Sequence, residues 1–418
     1  MTKKLSYILS VSEQLIVSGG NFTLAILLSK LLAPNDFGMY SIIWMAIISV
    51  ASFVNAWFSS PMLSISPSLS RPDSDYFISS LTKKMLLFQM VVLFVWVLVF
   101  NFRGQSLRSE AIFLSLSCIP FFLYDFLRRV AIVRKEMKHL VVIDVLLYSF
   151  LILGCLYLSN GEFLSISIII CLSYFLASLA LLIVFKPTWR ASSDSVDLIK
   201  HDYSAVWPRH IRFAKWASFT SLLQFTSGNA VVLFSSTLLS LADVGLLRLA
   251  QTFVSIFNPA LVFLDNHGRV YFANILKVKG APALNTRFKA FMFKAMLICF
   301  GVCSIMAIFG QYLIAYFYPE YLKTQLQYYY LLYTALTFFT VNTYILRLRL
   351  LVLEQGRLIF QAYVMSSIFS VAAFYPATLM FGAQGVILVL IITQIVMSIF
   401  IICPCRLTSY TEDLGDIR

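Results

Sequence analysis

The 418-residue sequence is poor in charge and lacks the residue patterns that common catalytic sites require. Only 12% of its residues are charged, whereas soluble proteins have roughly 25%. It has no glycine-rich phosphate loop ending in Lys-Ser or Lys-Thr, which excludes ATP hydrolysis of the P-loop kind. It also has no His-Glu-x-x-His and no Gly-x-Ser-x-Gly, the patterns of zinc proteases and serine hydrolases. We therefore do not expect an enzyme.

Cysteine and histidine are sparse as well, with 7 and 4 copies. There is no Cys-x-x-Cys, and the pair Cys299 and Cys303, one helical turn apart, suits two small membrane residues better than a metal site. We expect no metal and no cofactor. The net charge of +13 could indicate nucleic acid, but in an apolar chain it is more typical of cytoplasmic loops beside anionic lipids.

Long apolar runs are what the sequence has in abundance. Hydrophobic residues make up 60% of the chain, and the mean hydropathy is +0.85. Because roughly 20 apolar residues cross a bilayer as a helix, we predict an all-α polytopic membrane protein with about 12 transmembrane helices. Glu13 and Gln14 interrupt the first run, so we expect an uncleaved first helix rather than a signal peptide. The predicted helices lie at about residues 7–32, 39–60, 85–101, 111–127, 141–158, 163–185, 213–239, 244–264, 290–309, 327–346, 358–380 and 385–402.

The basic residues predict the orientation and the division of the chain. With the amino terminus inside, nearly all Lys and Arg fall in inner segments; the exceptions are Lys30, Arg103, Arg108, Arg248 and Lys323. By the positive-inside rule, both termini are expected to be cytoplasmic. The longest inner connection predicts two six-helix lobes joined by a linker. The predicted boundaries are an amino-terminal lobe (1–186), a cytoplasmic linker (187–212), a carboxy-terminal lobe (213–403) and a cytoplasmic tail (404–418).

A short pattern near the amino terminus recurs in the middle of the chain. Gly20-Asn21 is followed by apolar residues and then by Asp36-Phe37-Gly38. Gly228-Asn229 is followed by apolar residues and then by Asp243-Val244-Gly245. The recurrence indicates duplicated halves, although chance is the alternative for so short a match. Transporters with repeated halves often bind their substrate between them.

Arg248 is the foremost candidate for substrate binding. It lies a few residues inside the eighth predicted helix, with Gln251 near the same helical face. A fixed cation at membrane depth suits a phosphate or an acidic sugar. The alternative is an arginine that reaches the outer headgroups or pairs with Asp243. Asn21 and Asn229 are further candidates, although membrane amides more often hydrogen-bond between helices.

Glu13 and Asp125 are the candidates for ion coupling. Glu13, near the inner end of the first helix, is suited to carry a proton or a cation, or else to pair with a loop lysine. Asp125 precedes Arg128 and Arg129 by three and four residues. At that spacing a salt bridge within the helix is the favoured alternative.

The segment Leu32-Ala33-Pro34-Asn35-Asp36-Phe37-Gly38-Met39-Tyr40 resembles the end of the first helix in bacterial polysaccharide exporters, Leu-x-Pro-x-x-Phe-Gly-x-Tyr. The family is the O-antigen flippase (Wzx-like) branch of the multidrug/oligosaccharidyl-lipid/polysaccharide (MOP) exporter superfamily. The resemblance covers residues 21–41, with a weaker match at residues 228–248. It implies a MATE/MOP-like fold with two six-helix lobes around a central cavity.

The resemblance also implies a function. The expected activity is translocation of an undecaprenyl-pyrophosphate-linked oligosaccharide from the inner to the outer leaflet of a bacterial inner membrane, by alternating access. Expected partners are this lipid-linked oligosaccharide and membrane lipids, with a polymerase and a chain-length regulator of the same pathway as candidates. No nucleic acid partner is expected.

Two other functions stay open at this point. One is a multidrug/cation antiporter of the same superfamily, for which Glu13, Asp125 and Asp144 are candidate cation-binding carboxylates. The other is an integral-membrane O-antigen polymerase or ligase. The short outer connections predicted here disfavour it.

Overall fold

The structure is a computed structural model that describes residues 3–66, 69–103, 109–134, 136–191, 196–255, 259, 261, 264, 268–317, 326–353 and 355–412. These residues form helices and turns and contain no β-strand, which confirms the predicted all-α class. The helices are α1 (Lys3–Leu31), α2 (Pro34–Val54), the π-helical turn π1 (Asn55–Ser59), α3 (Ser60–Ile65), α4 (Arg71–Arg103), α5 (Ser109–Leu116), α6 (Cys118–Arg134), α7 (Met137–Leu158), α8 (Phe163–Ala191), α9 (Val196–Thr226), α10 (Asn229–Ser235), α11 (Leu241–Val254), α12 (Arg269–Phe317), α13 (Leu326–Val352) and α14 (Gly356–Glu412).

Within the described residues, 9 helical stretches are long and apolar enough to cross a membrane. Predicted helices 1 to 6, 9 and 10 each overlap one of these stretches, and helices 11 and 12 share the last, Arg357–Ile402. That last stretch is two helices, because Gly382 interrupts it with φ 57° and ψ −138°. A positive φ of this size is readily adopted by glycine and rarely by other residues. The chain is thus a multi-pass membrane protein.

Two predicted helices are broken where glycine or proline interrupts the backbone. Predicted helix 4 is divided into α5 and α6 at Ser117, close to Pro120, whose ring nitrogen cannot donate to the preceding turn. Predicted helix 7 ends early as α9, and the chain resumes as α10 after Gly228. Single unbroken helices over 111–127 and 213–239 are therefore wrong in detail, although both regions are helical on either side of the break.

The chain forms two compact units, Met1–Leu222 and Leu223–Arg418. The division falls inside α9, beyond the linker predicted over 187–212. The predicted domain boundaries and the predicted cavity between lobes stay predictions.

In the first unit, α1 packs along α7, and α5, α6 and α7 pack along α8. The α1–α7 approach depends on Gly20, because a Cβ at that position would overlap the ring of Tyr148. A Cβ at the neighbouring Gly19 would meet nothing within 4 Å. Gly20 thus permits close packing, and α1 continues through both glycines without a break.

In the second unit, α13 packs against α11, α12 and α14. Its Ile345 and Leu348 are buried with Phe272, Leu284 and Phe288 of α12. A separate core joins Leu350 to α14; its other buried members are Ile359, Ala362, Tyr363, Met397 and Ile401. The second unit therefore contains two apolar cores of its own.

The two copies of the repeated pattern begin a helix in a similar way. Pro34 opens α2 with Asp36 in its first turn, and α11 has Asp243 in its first turn. An acidic residue at this place interacts favourably with the positive end of the helix dipole. The copies differ upstream, since Asn21 lies within α1 whereas Asn229 begins α10 after a turn.

Candidate functional site

One face of α6 carries polar side chains that contact other helices of the first unit. Arg128 donates a hydrogen bond to the carboxylate of Glu13 in α1, and Glu13 is only 3% exposed. The Nη2 atom of Arg128 also donates to Gln14 Oε1 at 3.4 Å. Glu13 therefore pairs with a helix arginine rather than with a loop lysine. Because a charge buried in apolar surroundings is costly unless paired, this ion pair holds α1 against α6.

Asp125 forms the salt bridge expected within α6 and a further bond outside it. Arg129 Nε lies 3.5 Å from Asp125 Oδ2, and Arg128 Nη1 lies 4.0 Å from Oδ1. The amide of Asn55, in π1, donates to Asp125 Oδ2 at 2.6 Å. Ser59 in turn donates to Asn55 Oδ1 at 3.1 Å. Asp125 is thus bound by α6 and by the π-helical turn together.

Asp144 of α7 brings a third carboxyl group to the same region. It is fully buried, and the hydroxyl of Tyr124 donates to its Oδ1. Its Oδ2 has no hydrogen-bond partner in the part of the chain that the structure describes. The positive charge of Arg128 acts on Asp144 electrostatically. We call Glu13, Asp125, Arg128, Arg129 and Asp144 the charge cluster; its three carboxyl groups outnumber its two guanidinium groups.

Asn21 lies at the border of an aromatic group in the first unit. It is exposed, and its side chain hydrogen-bonds to Tyr148, which also bonds to Tyr174. The ring of Tyr174 lies 5.8 Å from Trp44 and 5.1 Å from Phe121 between centroids. Trp44 in turn stacks on Tyr40 of the motif that carries the family resemblance. Tyr40 of the motif therefore packs within this aromatic group.

In the second unit, the structure brings Arg248 and Gln251 together, as their spacing predicted. Arg248 Nη1 donates to Gln251 Oε1 at 2.9 Å, and the Arg248 side chain is partly buried. Its charge reaches the hydroxyl of Tyr333, a buried residue of α13. A bond to a neutral amide orients a guanidinium group without neutralising it. We call Arg248 and Gln251 the basic pair.

Asn229 and Asn21 lie on other helices than Arg248 and Gln251. Asn229 begins α10, which packs on α14 in the second unit, whereas Asn21 belongs to the first unit. A joint role of these amides with Arg248 in one substrate site stays a prediction.

Sequence reasoning named all five residues of the charge cluster but did not bring them together. It named Asp125 and Glu13 but treated them separately, since no spacing reveals that Arg128 of α6 binds a residue of α1. It did not single out Asn55 or Tyr124, which bind carboxylates of the cluster. The available signal for Asn55 was that it is a polar residue inside an apolar run. Among the described residues, no group of three or more His, Cys, Asp and Glu is arranged to hold a metal ion.

Comparison with known proteins identifies the fold. No protein-family model and no curated protein sequence matches the chain. Among solved structures, an inward-facing multidrug-resistance MATE-family transporter of the MOP superfamily is similar, with a TM-score of 0.69, 14% identity and 96% of each chain covered. The lipid II flippase MurJ, in an inward closed conformation, is similar with a TM-score of 0.67 and 15% identity, over 97% of this chain and 88% of MurJ.

A third similar structure is a MOP-superfamily transporter from Pyrococcus furiosus, with a TM-score of 0.62, 12% identity and coverage of 96% of this chain and 94% of the other. Likenesses at these identities establish the fold alone. The protein has a MATE/MOP-like transporter fold, as the sequence predicted.

Proposed function

We propose that the protein is a flippase for undecaprenyl-pyrophosphate-linked O-antigen or related oligosaccharide units. It would move them from the inner to the outer leaflet of a bacterial inner membrane, with both of its termini in the cytoplasm. The fold it shares with a lipid II flippase supports this proposal, as does the motif at residues 32–40. A polymerase and a chain-length regulator would act on the delivered units.

The observation that carries the proposal is the basic pair. A guanidinium group binds pyrophosphate oxygens through two parallel N–H donors, and the bond to Gln251 fixes its orientation in advance. Asn229 and Asn21 would supply neutral hydrogen bonds to sugar hydroxyl groups. These bonds would replace hydration that the headgroup loses inside the membrane. The polyprenyl chain would stay in the lipid.

We further propose that Glu13 and Asp125 couple this movement to an ion gradient. Both carboxylates bind guanidinium groups of α6, and only Glu13 does so from another helix. Protonation of a carboxylate removes the charge that holds its partner. Binding of a proton or a cation to Glu13 would therefore weaken the α1–α6 contact. An alternating-access cycle requires this kind of change.

The test of the proposal compares Arg248→Ala with Lys323→Ala in a strain that lacks the native gene. Each variant removes one basic side chain, and Lys323 lies in a predicted outer connection outside the described residues. We expect Arg248→Ala to leave complete single repeat units on the cytoplasmic leaflet, while Lys323→Ala restores surface polysaccharide. Equal export by both variants would remove Arg248 from the substrate site.

A second candidate function is a multidrug/cation antiporter, and the charge cluster favours it because antiporters of this kind need carboxylates at membrane depth. The gene-deleted strain distinguishes the candidates. Trapped cytoplasmic repeat units support the flippase, whereas normal polysaccharide with altered drug sensitivity supports the antiporter. Single units on the outer face that are never polymerised would instead indicate a polymerase.

A further inference from the structure

Four side chains of α4 and α9 form a group that the proposed transport cycle does not use. The rings of Trp207 and His210 stack with centroids 4.7 Å apart and planes inclined by 6°. Phe77 meets His210 edge-on at 5.8 Å. The ammonium group of Lys84 lies 2.9 Å from the centroid of the Trp207 ring. All four residues belong to the first unit, and we call them the α4–α9 group.

His210 is buried with its hydrogen-bonding capacity unused. Its exposure is 0%, and neither Nδ1 nor Nε2 has a hydrogen-bond partner among the residues that the structure describes. A neutral imidazole carries one donor and one acceptor, and leaving both unmade in a buried place costs free energy. Such an arrangement is expected where a further group completes the site.

The charge around His210 is positive. Burial, and then the positive charge of Lys84, lowers the pKa of His210 to about 4, so the imidazole is neutral at pH 7. The described contact of Lys84 is with an indole ring and not with a carboxylate. Lys83, Arg209 and Arg212 are exposed nearby in sequence and add to the positive potential. A cation has no favourable place in this group, whereas an anion has two donors.

We infer that the α4–α9 group is a binding site for a phosphate group. The ammonium of Lys84 would supply the charge, and the imidazole N–H of His210 would donate to a second phosphate oxygen. Lys84 and His210 both lie against the Trp207 ring, and phosphate offers several acceptor oxygens around one centre, so different oxygens would face the two side chains. The site is separate from the basic pair and does not depend on the proposed transport activity.

Two sources could supply the phosphate, a lipid headgroup or a soluble ion. The lysine and tryptophan favour a headgroup, because tryptophan is enriched at membrane interfaces and basic residues attract anionic lipids. Lys84 directly precedes the third predicted helix (85–101), on its predicted cytoplasmic side. A soluble phosphate ion would make the same two contacts.

The test uses the full-length protein, with ¹³C-labelled histidine followed by NMR and the His210 signal assigned by its loss in His210→Gln. One arm places the protein in nanodiscs of phosphatidylglycerol or of phosphatidylcholine, and the other adds inorganic phosphate in lipid-free detergent. We expect bound phosphate to raise the pKa of His210 by at least about one unit, a tenfold gain in proton affinity. A rise only with phosphatidylglycerol identifies a lipid headgroup; a rise with inorganic phosphate identifies a soluble ion.

Lys84→Gln and Lys83→Gln provide the matched pair, since they remove adjacent charges from the same helix. We expect Lys84→Gln to reduce retention of phosphatidylglycerol, measured by native mass spectrometry, by about tenfold. Lys83→Gln should retain it as the unmodified protein does. No pKa rise with either probe, or equal loss in the two lysine variants, would overturn the inference. The NMR arm tests the unmodified protein, so it stands even where a variant fails to fold.

Discussion

The arginines of the two units have different described partners. In the first unit, Arg128, Arg129 and Arg134 bind the carboxylates Glu13, Asp125 and Asp75. In the second unit, three arginines hydrogen-bond to neutral groups: Arg248 donates to Gln251, Arg347 donates to the hydroxyl of Tyr363 at 2.7 Å, and Arg349 donates to Asn285 Oδ1 at 2.9 Å.

This difference bears on the roles that we propose for the two units. A guanidinium–carboxylate pair is electrically compensated, so it fixes helices together and responds to the loss of one charge. A guanidinium group that donates to an amide or a hydroxyl group is oriented without a loss of charge. The proposed function places ion coupling in the first unit and substrate binding in the second, and the following changes test that proposal.

Arg128→Met should have the largest effect on stability. It leaves buried Glu13 without its partner, and breaking a buried ion pair in this way costs about 3–5 kcal/mol. Thermal unfolding of the purified protein in detergent is the measurement. Arg248→Met is the comparison, with an expected loss of about 1 kcal/mol, because the hydrogen bond that it removes is to the neutral amide of Gln251. Similar losses of stability in both variants would show that the two arginines do not differ in this way.

Glu13→Gln should change coupling more than stability. The amide keeps the shape and accepts a bond from Arg128, so we expect a loss of about 1–3 kcal/mol. Transport into inverted vesicles should lose its dependence on the ion gradient, because the variant cannot bind a proton or a cation there. Gln251→Glu, made in the second unit, should leave gradient dependence in place and weaken substrate binding. Gradient dependence that survives Glu13→Gln would exclude Glu13 from coupling.

Gly20→Ala should destabilise the first unit, by about 1–3 kcal/mol, through overpacking against Tyr148. Gly19→Ala is the matched control on the same helix. Its Cβ meets nothing within 4 Å, so it should be neutral or slightly stabilising through better helix propensity. Apparent melting temperatures compare the two directly. Equal melting temperatures would show that α1 and α7 do not pack this closely.

Thr343→Val should have the smallest effect. Thr343 bonds to Ser398 at 2.8 Å between α13 and α14 of the second unit. Hydrogen bonds between membrane helices average about 0.6 kcal/mol, so we expect a loss of that order. Thr337→Val, which removes a hydroxyl bonded only within its own helix in the described contacts, is the comparison. A loss above about 3 kcal/mol would mean that neutral bonds hold the second unit as firmly as ion pairs hold the first.

The sequence predicted the class of fold because hydrophobic length alone decides it. Runs of apolar residues mark each membrane helix, and the division at Gly382 was visible as a polar turn between two runs. The break before Asn229 was not predicted, because it arises from the backbone conformation of Gly228, with φ −133° and ψ −94°.

The candidate site was predictable only along single helices. The spacing of Arg248 and Gln251, and of Asp125 with Arg128 and Arg129, predicted contacts that the structure contains. Glu13 and Arg128 are 115 residues apart, and Asn55 and Asp125 are 70 apart. Contacts of this kind depend on how helices pack, which periodicity does not encode.

The turn π1 shows how a residue outside the charge cluster can affect its surroundings. Ser60 donates its backbone N–H to the carbonyl of Asn55, and Pro61 follows at the start of α3. Because proline has no N–H and its ring crowds the carbonyl four residues earlier, the usual bonding pattern cannot continue there. The wider turn rotates everything after it by roughly 100° relative to an unbroken helix. Because Asn55 begins this turn, Pro61 affects how α3 is rotated relative to the residue that binds Asp125. A sequence change that preserves every polar residue of the charge cluster, but replaces this proline, would rotate α3 relative to Asn55 and disturb the surroundings of the cluster.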